Sequence, residues 1–199
     1  YGTLPGTAGN ILRKTLAQKG GKEIGYAKFK GADYFIGYIK RGFLYSPDNP
    51  KTKELDQAVQ FGSEIIDHIS SKTYDQPGTD PLPTAIHTFE RMVTAKVFAR
   101  YMLSYFFKAD PNKCSSCKLC EKICPKHNIS FDGNGMPKWG HDCILCFYCE
   151  LKCPEDAVST PADWIIFAPL IQFNIYHHNV KESCEYVRVK HHKGKTQRI

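Results

Sequence analysis

No apolar run in this 199-residue chain is long enough to cross a bilayer. The longest, Trp164 to Tyr176, is too short and contains Pro169, so it reads as a segment packed on a core. The chain also lacks a nucleophile–base arrangement and a glycine-rich phosphate loop, and neither covalent catalysis nor nucleotide cradling has a motif to rest on. There is no signal-peptide pattern, and a disulfide framework, which suits short secreted chains, is not expected. No methionine opens the sequence, which begins Tyr1-Gly2.

What is present is an ordinary globular composition, 42% hydrophobic, with a net charge of +7. The charge is uneven. Residues 1–107 carry 14 Lys/Arg and 10 Asp/Glu, residues 108–160 carry 7 of each, and residues 161–199 carry 6 and 3. The basic tail Lys190-His191-His192-Lys193-Gly194-Lys195 offers contacts to phosphate or an acidic partner, but reads first as a solvated, frayed terminus. Nucleic acid is not expected as a partner.

Periodicity supplies a coarse map. A first helix is expected from Thr7 to Lys19, with Ala8, Ile11, Leu12 and Leu16 on one face and Gly20 as the stop. A stretch rich in Tyr, Phe and Ile from Glu23 to Ile36 reads as β structure. A second helix opens with Asn49 as N-cap and Pro50 at the first helical position, and carries the stripe Leu55, Ala58, Val59, Gly62, Ile65, Ile66 and Ile69. Residues 70–84 break every helical period, and a long helix is expected from Ala85 to Phe107.

The strongest signal is cysteine. Eight of nine fall into two copies of C-x2-C-x2-C-x3-C-P: Cys114, Cys117, Cys120, Cys124 with Pro125, and Cys143, Cys146, Cys149, Cys153 with Pro154. The copies are related by an offset of 29 residues, a pseudo-twofold repeat. Structural zinc would want two C-x2-C pairs separated by a longer linker, not three cysteines in a row at this spacing. Between the copies, Asn128 to Phe131 reads as a strand, Asp132 to Gly135 as a turn, and Met136 to Trp139 as the returning strand. Two short hairpins and two short helices are expected, with too little apolar core to fold without metal. Phe147, Tyr148 and Trp139 read as apolar cover that excludes water from the metal. Cys184 reads as a small buried hydrophobe, and the pairs His177-His178 and His191-His192 lack partner ligands at useful spacing.

The two cysteine runs resemble those of bacterial two-cluster ferredoxins, in which the fourth cysteine of each run ligates the other run's [4Fe–4S] cluster. The resemblance implies that Cys114, Cys117, Cys120 and Cys153 hold one cluster, and Cys143, Cys146, Cys149 and Cys124 the other. Two such clusters add about −2 each by formal counting, so residues 108–160 become roughly −4 when loaded. Clusters and free thiolates point to a reducing cytoplasm.

Over essentially its whole length the chain resembles a fusion of a flavodoxin-like domain with a two-cluster ferredoxin. The resemblance rests on Tyr1-Gly2 with Pro5-Gly6, Pro47-Asp48-Asn49, both cysteine runs and Tyr176-His177-His178. Two departures are Lys118 where the family usually has glycine, and Ser46 where it usually has methionine before Pro-Asp-Asn. The fold class implied is α+β: a two-cluster ferredoxin-like domain appended to a partial flavodoxin-like α/β segment. The implied domains are a partial flavodoxin-like segment at 1–72, a linker and connecting helix at 73–107, the ferredoxin domain at 108–160 and an extension at 161–199. The opening strands and the FMN phosphate loop of the family are expected to precede Tyr1, so FMN would be held only with that half, with Tyr1, Gly2 and Thr3 beside its ring.

The function implied is a low-potential iron–sulfur electron carrier or redox subunit rather than a stand-alone enzyme, passing electrons to redox partner proteins or to FMN. A flavin- and iron–sulfur-dependent reductase and a binding module with structural clusters are the alternatives. Two clusters favour the carrier, because a scaffold needs only one and a relay benefits from two.

Overall fold

The computed structural model describes residues 1–2, 8–72, 88, 92, 95, 97, 99–181 and 183–199. It is an α+β chain in two compact units, one of Tyr1–Asp33 with Tyr45–Thr88, the other of Tyr34–Leu44 with Phe89–Ile199. No helix among the described residues is long and apolar enough to cross a membrane.

In the first unit, α1 runs Ala8–Gln18 and stops at Gly20, whose φ of +78° favours glycine. Thr7, the expected first residue, lies outside the described residues. Arg13 Nε donates to Glu23 at 2.9 Å and its guanidinium lies over Tyr26 at 4.3 Å, which ties α1 to the following segment. That segment corrects the expectation of β structure over Glu23 to Ile36. It forms no ladder among the described residues, only a bridge from Asp33 to Tyr45, and Ile36 already begins a helix. Strand propensity reports fit to a pleated, half-buried surface. Here Gly31 instead donates to Tyr1 and Ala32 to Asn49, partners that do not continue one neighbouring strand.

Helix α3 runs Thr52–Ser71, so the expected cap moves from Asn49 to Lys51. Lys51 is extended, and its backbone N–H donates to Glu54 at 3.0 Å, satisfying a donor that Asn49 stands too far back to serve. One side of α3 meets the segment before it, through Phe61 on Phe29 and His68 on the Ile24 carbonyl. Leu55, Val59, Ile66 and Ile69 of the expected stripe are exposed.

Ten of the 23 residues of the expected helix from Ala85 to Phe107 lie outside the described residues, and Thr88, Met92 and Val97 are helical. Its described end is not regular α-helix: a π turn at Ala99–Leu103 passes into a 3-10 turn at Ser104–Phe106, and Phe107 is extended. The chain straightens there because the next residues, β2 (Lys108–Ala109), enter a sheet.

Among the described residues, the second unit has two apolar centres. One joins α2 (Ile36–Ile39), β1 (Phe43–Tyr45) and later segments through Ile36, Ile39, Leu44, Leu151, Ala162 and Val189. The other gathers Phe107, Ile129, Cys149 and Val158, and Phe147 packs against both. Of the expected apolar segment Trp164 to Tyr176, the helix Ala168–Tyr176 buries Ile171 and Ile175, whereas Ile165 and Ile166 are exposed.

The tail is not frayed. Strands β6 (Tyr186–His192) and β7 (Lys195–Arg198) form an antiparallel hairpin in register His192 with Lys195, and Val189 donates to Gly42 next to β1. The loop Lys193-Gly194 has positive φ at both residues, the two-residue turn whose twist suits a hairpin. Gly194 is required twice over, since a Cβ there would stand 2.7 Å from the Lys152 carbonyl oxygen. Asp156 accepts from the Lys193 N–H at 2.8 Å and pairs with His192, anchoring the turn.

A charged cluster fastens α2 to the cysteine-bearing region. Lys40 Nζ contacts Glu150 and lies 2.6 Å from Asp163, while Thr160 Oγ1 donates to Glu150 at 2.6 Å. Glu150 is 3% exposed, and burial pushes its carboxyl up to about 7 against the pull of Lys40. Burial would lower the Lys40 ammonium, but its bonds to Asp163 and Glu150 outweigh this and raise it. Lys40→Met is expected to destabilise the protein by about 2–3 kcal/mol, below the range for a fully buried pair because the Lys40 side chain is 34% exposed. Without Lys40 the buried Glu150 takes up a proton more readily. The folded variant then binds more protons than the unfolded chain, and its deficit should grow as pH rises through about 7 and shrink toward acid. Denaturant unfolding at pH 6 and pH 8 checks this, and an equal deficit at both would contradict it.

Candidate iron–sulfur centre

Each cysteine run folds as a tight loop leading into one turn of helix. Helices α4 (Leu119–Lys122) and α5 (Tyr148–Leu151) fall at the 29-residue offset, and so do three pairs of residues with positive φ: Ser116 with Leu145, Lys118 with Phe147, and His127 with Asp156. None is glycine, so each pair carries a conformational cost of roughly 1–2 kcal/mol per residue. The left-handed residues turn successive N–H groups toward one side of the loop, where they face sulfur. Leu145 N–H donates to Cys143 Sγ at 3.4 Å, and the pair Asn128 to Cys124 and Ala157 to Cys153, at 3.4 and 3.3 Å, again obeys the repeat. Lys118, where the resembled family has glycine, occupies one of these left-handed positions at φ 58°.

Strand pairing crosses the two repeats. Of the two expected hairpins only one forms, β3 (Ile129–Phe131) with β4 (Pro137–Trp139), closed by the expected Asp132–Gly135 turn. Asp132 holds that turn by accepting from Asn134 at 2.9 Å and Met136 at 3.0 Å, and these bonds lower its pKa, the Met136 N–H first. The other pair corrects the expectation: β2 runs antiparallel to β5 (Val158–Ser159), across the whole region. The start of repeat one thus pairs with the end of repeat two, and the end of repeat one with the start of repeat two.

This crossing places the thiols. Cys114, Cys117, Cys120 and Cys153 line one open cavity, together with Lys118, Phe131 and Glu155. Cys124, Cys143, Cys146 and Cys149 line a second, together with Phe107, Ile144, Trp139 and Phe147. Among the described residues, no group of three or more His, Cys, Asp or Glu side chains converges as a single metal ion would need. Spread around a cavity, four thiols suit a polynuclear centre that fills the space between them, whereas zinc needs every sulfur at about 2.3 Å from one point.

The buried thiols of Cys120, Cys143 and Cys149 hold their protons in the bare protein. Burial pushes Cys149 up to about 12 and Cys120 up to about 11, and raises Cys143 as well. Metal loading must release those protons and recover the cost of burying the thiolates. The second cavity is the more aromatic: Phe107 stacks on Phe147 at 6.0 Å and lies 6.0 Å from Trp139. Tyr148 is exposed, with Lys152 Nζ 5.8 Å from its ring.

Some site residues carry no motif. Asn128 clamps the approach to Cys143, donating through Nδ2 to Gly140 at 3.0 Å and accepting the Asp142 N–H at 2.8 Å. Ser116 Oγ donates to Gly135 at 2.6 Å and joins the first loop to the β3–β4 turn. Their residue types hint at turns, but their partners lie too far along the chain for a local pattern to reveal them.

The remaining candidates are not among the residues that line these cavities. Tyr1 is exposed, its carbonyl accepting from Gly31 at 2.7 Å. A Cβ on Gly2 would stand 2.5 Å from that of Asp33, and Thr3 is outside the described residues. Cys184 is buried at 7% exposure. His178 is buried with Nε2 3.1 Å from the Tyr38 hydroxyl, whereas His191 meets Thr196 and His192 meets Asp156.

Comparison with known proteins agrees with this picture at the first run. The family model described as a 4Fe-4S binding domain matches residues 107–130. An uncharacterized protein of Methanocaldococcus jannaschii is 37% identical over 67 residues, 33% of this chain, and the match spans only 25% of that relative's length. The chain carries a ferredoxin-like 4Fe-4S binding region.

Proposed function

We propose that this protein is an electron carrier or redox subunit holding two [4Fe–4S] clusters within residues 108–160. Cys114, Cys117, Cys120 and Cys153 hold one, and Cys143, Cys146, Cys149 and Cys124 the other. The observation that carries this reading is the pair of thiol-lined cavities, each gathering three cysteines of one run and the fourth of the other. Each cluster, when bound, takes up and gives back one electron. The chain's own residues supply four thiolates, backbone N–H groups on Cys124, Cys143 and Cys153, and an apolar wall that keeps water from the second site. Cysteine-only ligation places the potentials in the low part of the range open to such centres. The exposed Cys117 and Cys146 mark where redox partner proteins approach each cavity. FMN in a flavodoxin-like half, met at Tyr1, Gly2 and Thr3, is the proposed internal partner, on the family resemblance alone.

Anaerobically purified protein is expected to hold roughly eight iron and eight acid-labile sulfide per chain, with both midpoints below zero in a dye-mediated titration. Stoichiometric zinc without sulfide, or midpoints well above zero, would overturn the carrier reading.

A further inference from the structure

The basic run Lys190 to Lys195 lines neither cavity, yet the fold carries it to the edge of one of them. It forms the end of β6, the Lys193-Gly194 turn and the start of β7. Alternation along β6 exposes Arg188, Lys190 and His192 and buries Val189. The register sets His192 opposite Lys195, and residues paired in this way share a face of the sheet. Lys190, His192 and Lys195 therefore lie on one exposed face, with Lys193 exposed at the tip. His192 has Asp156 as its partner at 2.8 Å. Among the described residues, Lys190, Lys193 and Lys195 have no carboxylate partner.

The tip is held in place by contacts distant in sequence. A Cβ on Gly194 would stand 2.7 Å from the Lys152 carbonyl oxygen and 3.1 Å from that of Cys153, so the turn rests on the backbone of a residue that lines the first cavity. Asp156 accepts the Lys193 N–H at 2.8 Å. Pro154 and Glu155, between these two contacts, belong to the same cavity wall. The repeat offers no counterpart: 29 residues before Asp156 stands the exposed His127, which has no carboxylate to anchor a second turn. The anchored cations thus mark the first cavity.

We infer that the β6–β7 tip is the docking surface for an acidic redox protein that exchanges electrons with the cluster of the first cavity. The inference rests on the two-cluster reading above. In the step itself one electron leaves the reduced cluster, which returns to its oxidised state, and enters the partner; no bond is made or broken. With both clusters loaded, residues 108–160 carry roughly −4, which alone would repel an acidic partner. Lysines held on the Cys153 backbone oppose that repulsion at one place, and a fixed patch of one sign steers a partner of the other. Nucleic acid is the other polyanion that lysines attract. Position favours the redox protein, because an electron acceptor must come close to the cluster and a nucleic acid need not.

Holoprotein reduced anaerobically is mixed in a stopped-flow instrument with an oxidised acidic c-type cytochrome, and separately with a basic one, over a range of ionic strength. The wild-type rate with the acidic cytochrome should be highest at low salt and fall as salt rises. A triple variant, Lys190→Glu with Lys193→Glu and Lys195→Glu, should react with the acidic cytochrome about tenfold or more slowly at low salt and converge with the wild type at high salt. Its rate with the basic cytochrome should hold or increase. An unchanged rate with the acidic cytochrome, equal slowing with both, or a wild-type rate that is flat or rises with salt overturns the inference. Should the triple variant lose iron, Lys190→Gln with Lys195→Gln and the wild-type salt dependence decide by the same criteria. Binding of a short DNA duplex that the triple variant loses, with its electron transfer at the wild-type rate, also overturns the inference and assigns the tip to nucleic acid. Failure of the two-cluster reading is separate, appearing as low iron and sulfide in the unmodified protein before any partner is added.

Discussion

Iron removed anaerobically with a chelator should cost the region 108–160 its amide-exchange protection, and refilling with iron and sulfide should restore it. The reason lies in how little else holds this part of the chain. Helices α4 and α5 are four residues each, far below the length at which an isolated helix persists in water. The β3–β4 hairpin pairs three residues with three, and an isolated two-stranded hairpin of any length is marginal. The local apolar centre is built on Phe107, Ile129, Cys149 and Val158, too few side chains to offset the ordering of the region at about 1–2 kcal/mol per residue. Six left-handed, non-glycine residues at Ser116, Lys118, His127, Leu145, Phe147 and Asp156 add strain. On the proposed two-cluster reading, bonds from eight thiolates to metal are the main source of stability beyond the ties that Glu150 and Leu151 make to α2. Protection that survives at Ile129–Phe131 after complete iron loss would overturn this account.

The second large effect is a pattern of paired losses among cysteine variants. If each cluster draws its fourth ligand from the other run, Cys124→Ala and Cys143→Ala damage the same cluster. Together they should remove no more iron than either alone, about half of the total. Cys124→Ala with Cys114→Ala damages both clusters and should remove nearly all of it. Non-additivity of this kind identifies residues acting as one unit. The structural basis is the grouping of Cys124 with Cys143, Cys146 and Cys149, and of Cys153 with Cys114, Cys117 and Cys120, around separate cavities. Iron analysis of the two double variants is sufficient. The reverse pattern, with Cys124 and Cys114 acting together, would assign each run to its own cluster. Cys184→Ser, on a thiol outside both cavities, should leave iron content unchanged.

The sequence was most legible where structure depends on neighbours along the chain. The apolar spacing of Ile11, Leu12 and Leu16 with Gly20 behind it marked α1 to within a residue or two, because helix period and a left-handed stop are local properties. The Asp132–Gly135 turn was legible for the same reason: an Asx side chain and a glycine with φ of +73° define it within four residues. The tail was readable in principle, through its alternating strand and Lys-Gly turn, but its run of charge suggested fraying instead. What reverses that is contact with Asp156 and Gly42, both distant in sequence.

By itself, then, the sequence determined the two cysteine runs, their 29-residue repeat, two helices and one turn, all set by spacing or by φ preference at single residues. Only the tertiary structure decided which thiols share a cavity, because that follows from β2 pairing with β5 across about fifty residues, a pairing with no local signature. It also decided that Glu23 to Ile36 is not a ladder, since strand-forming side chains become a strand only with a neighbour to bond. And it brought Lys40 and Thr160 onto the Glu150 carboxylate. Those contacts join residues whose types alone say nothing of each other, and their energies come from burial, which exists only once the chain has closed around them.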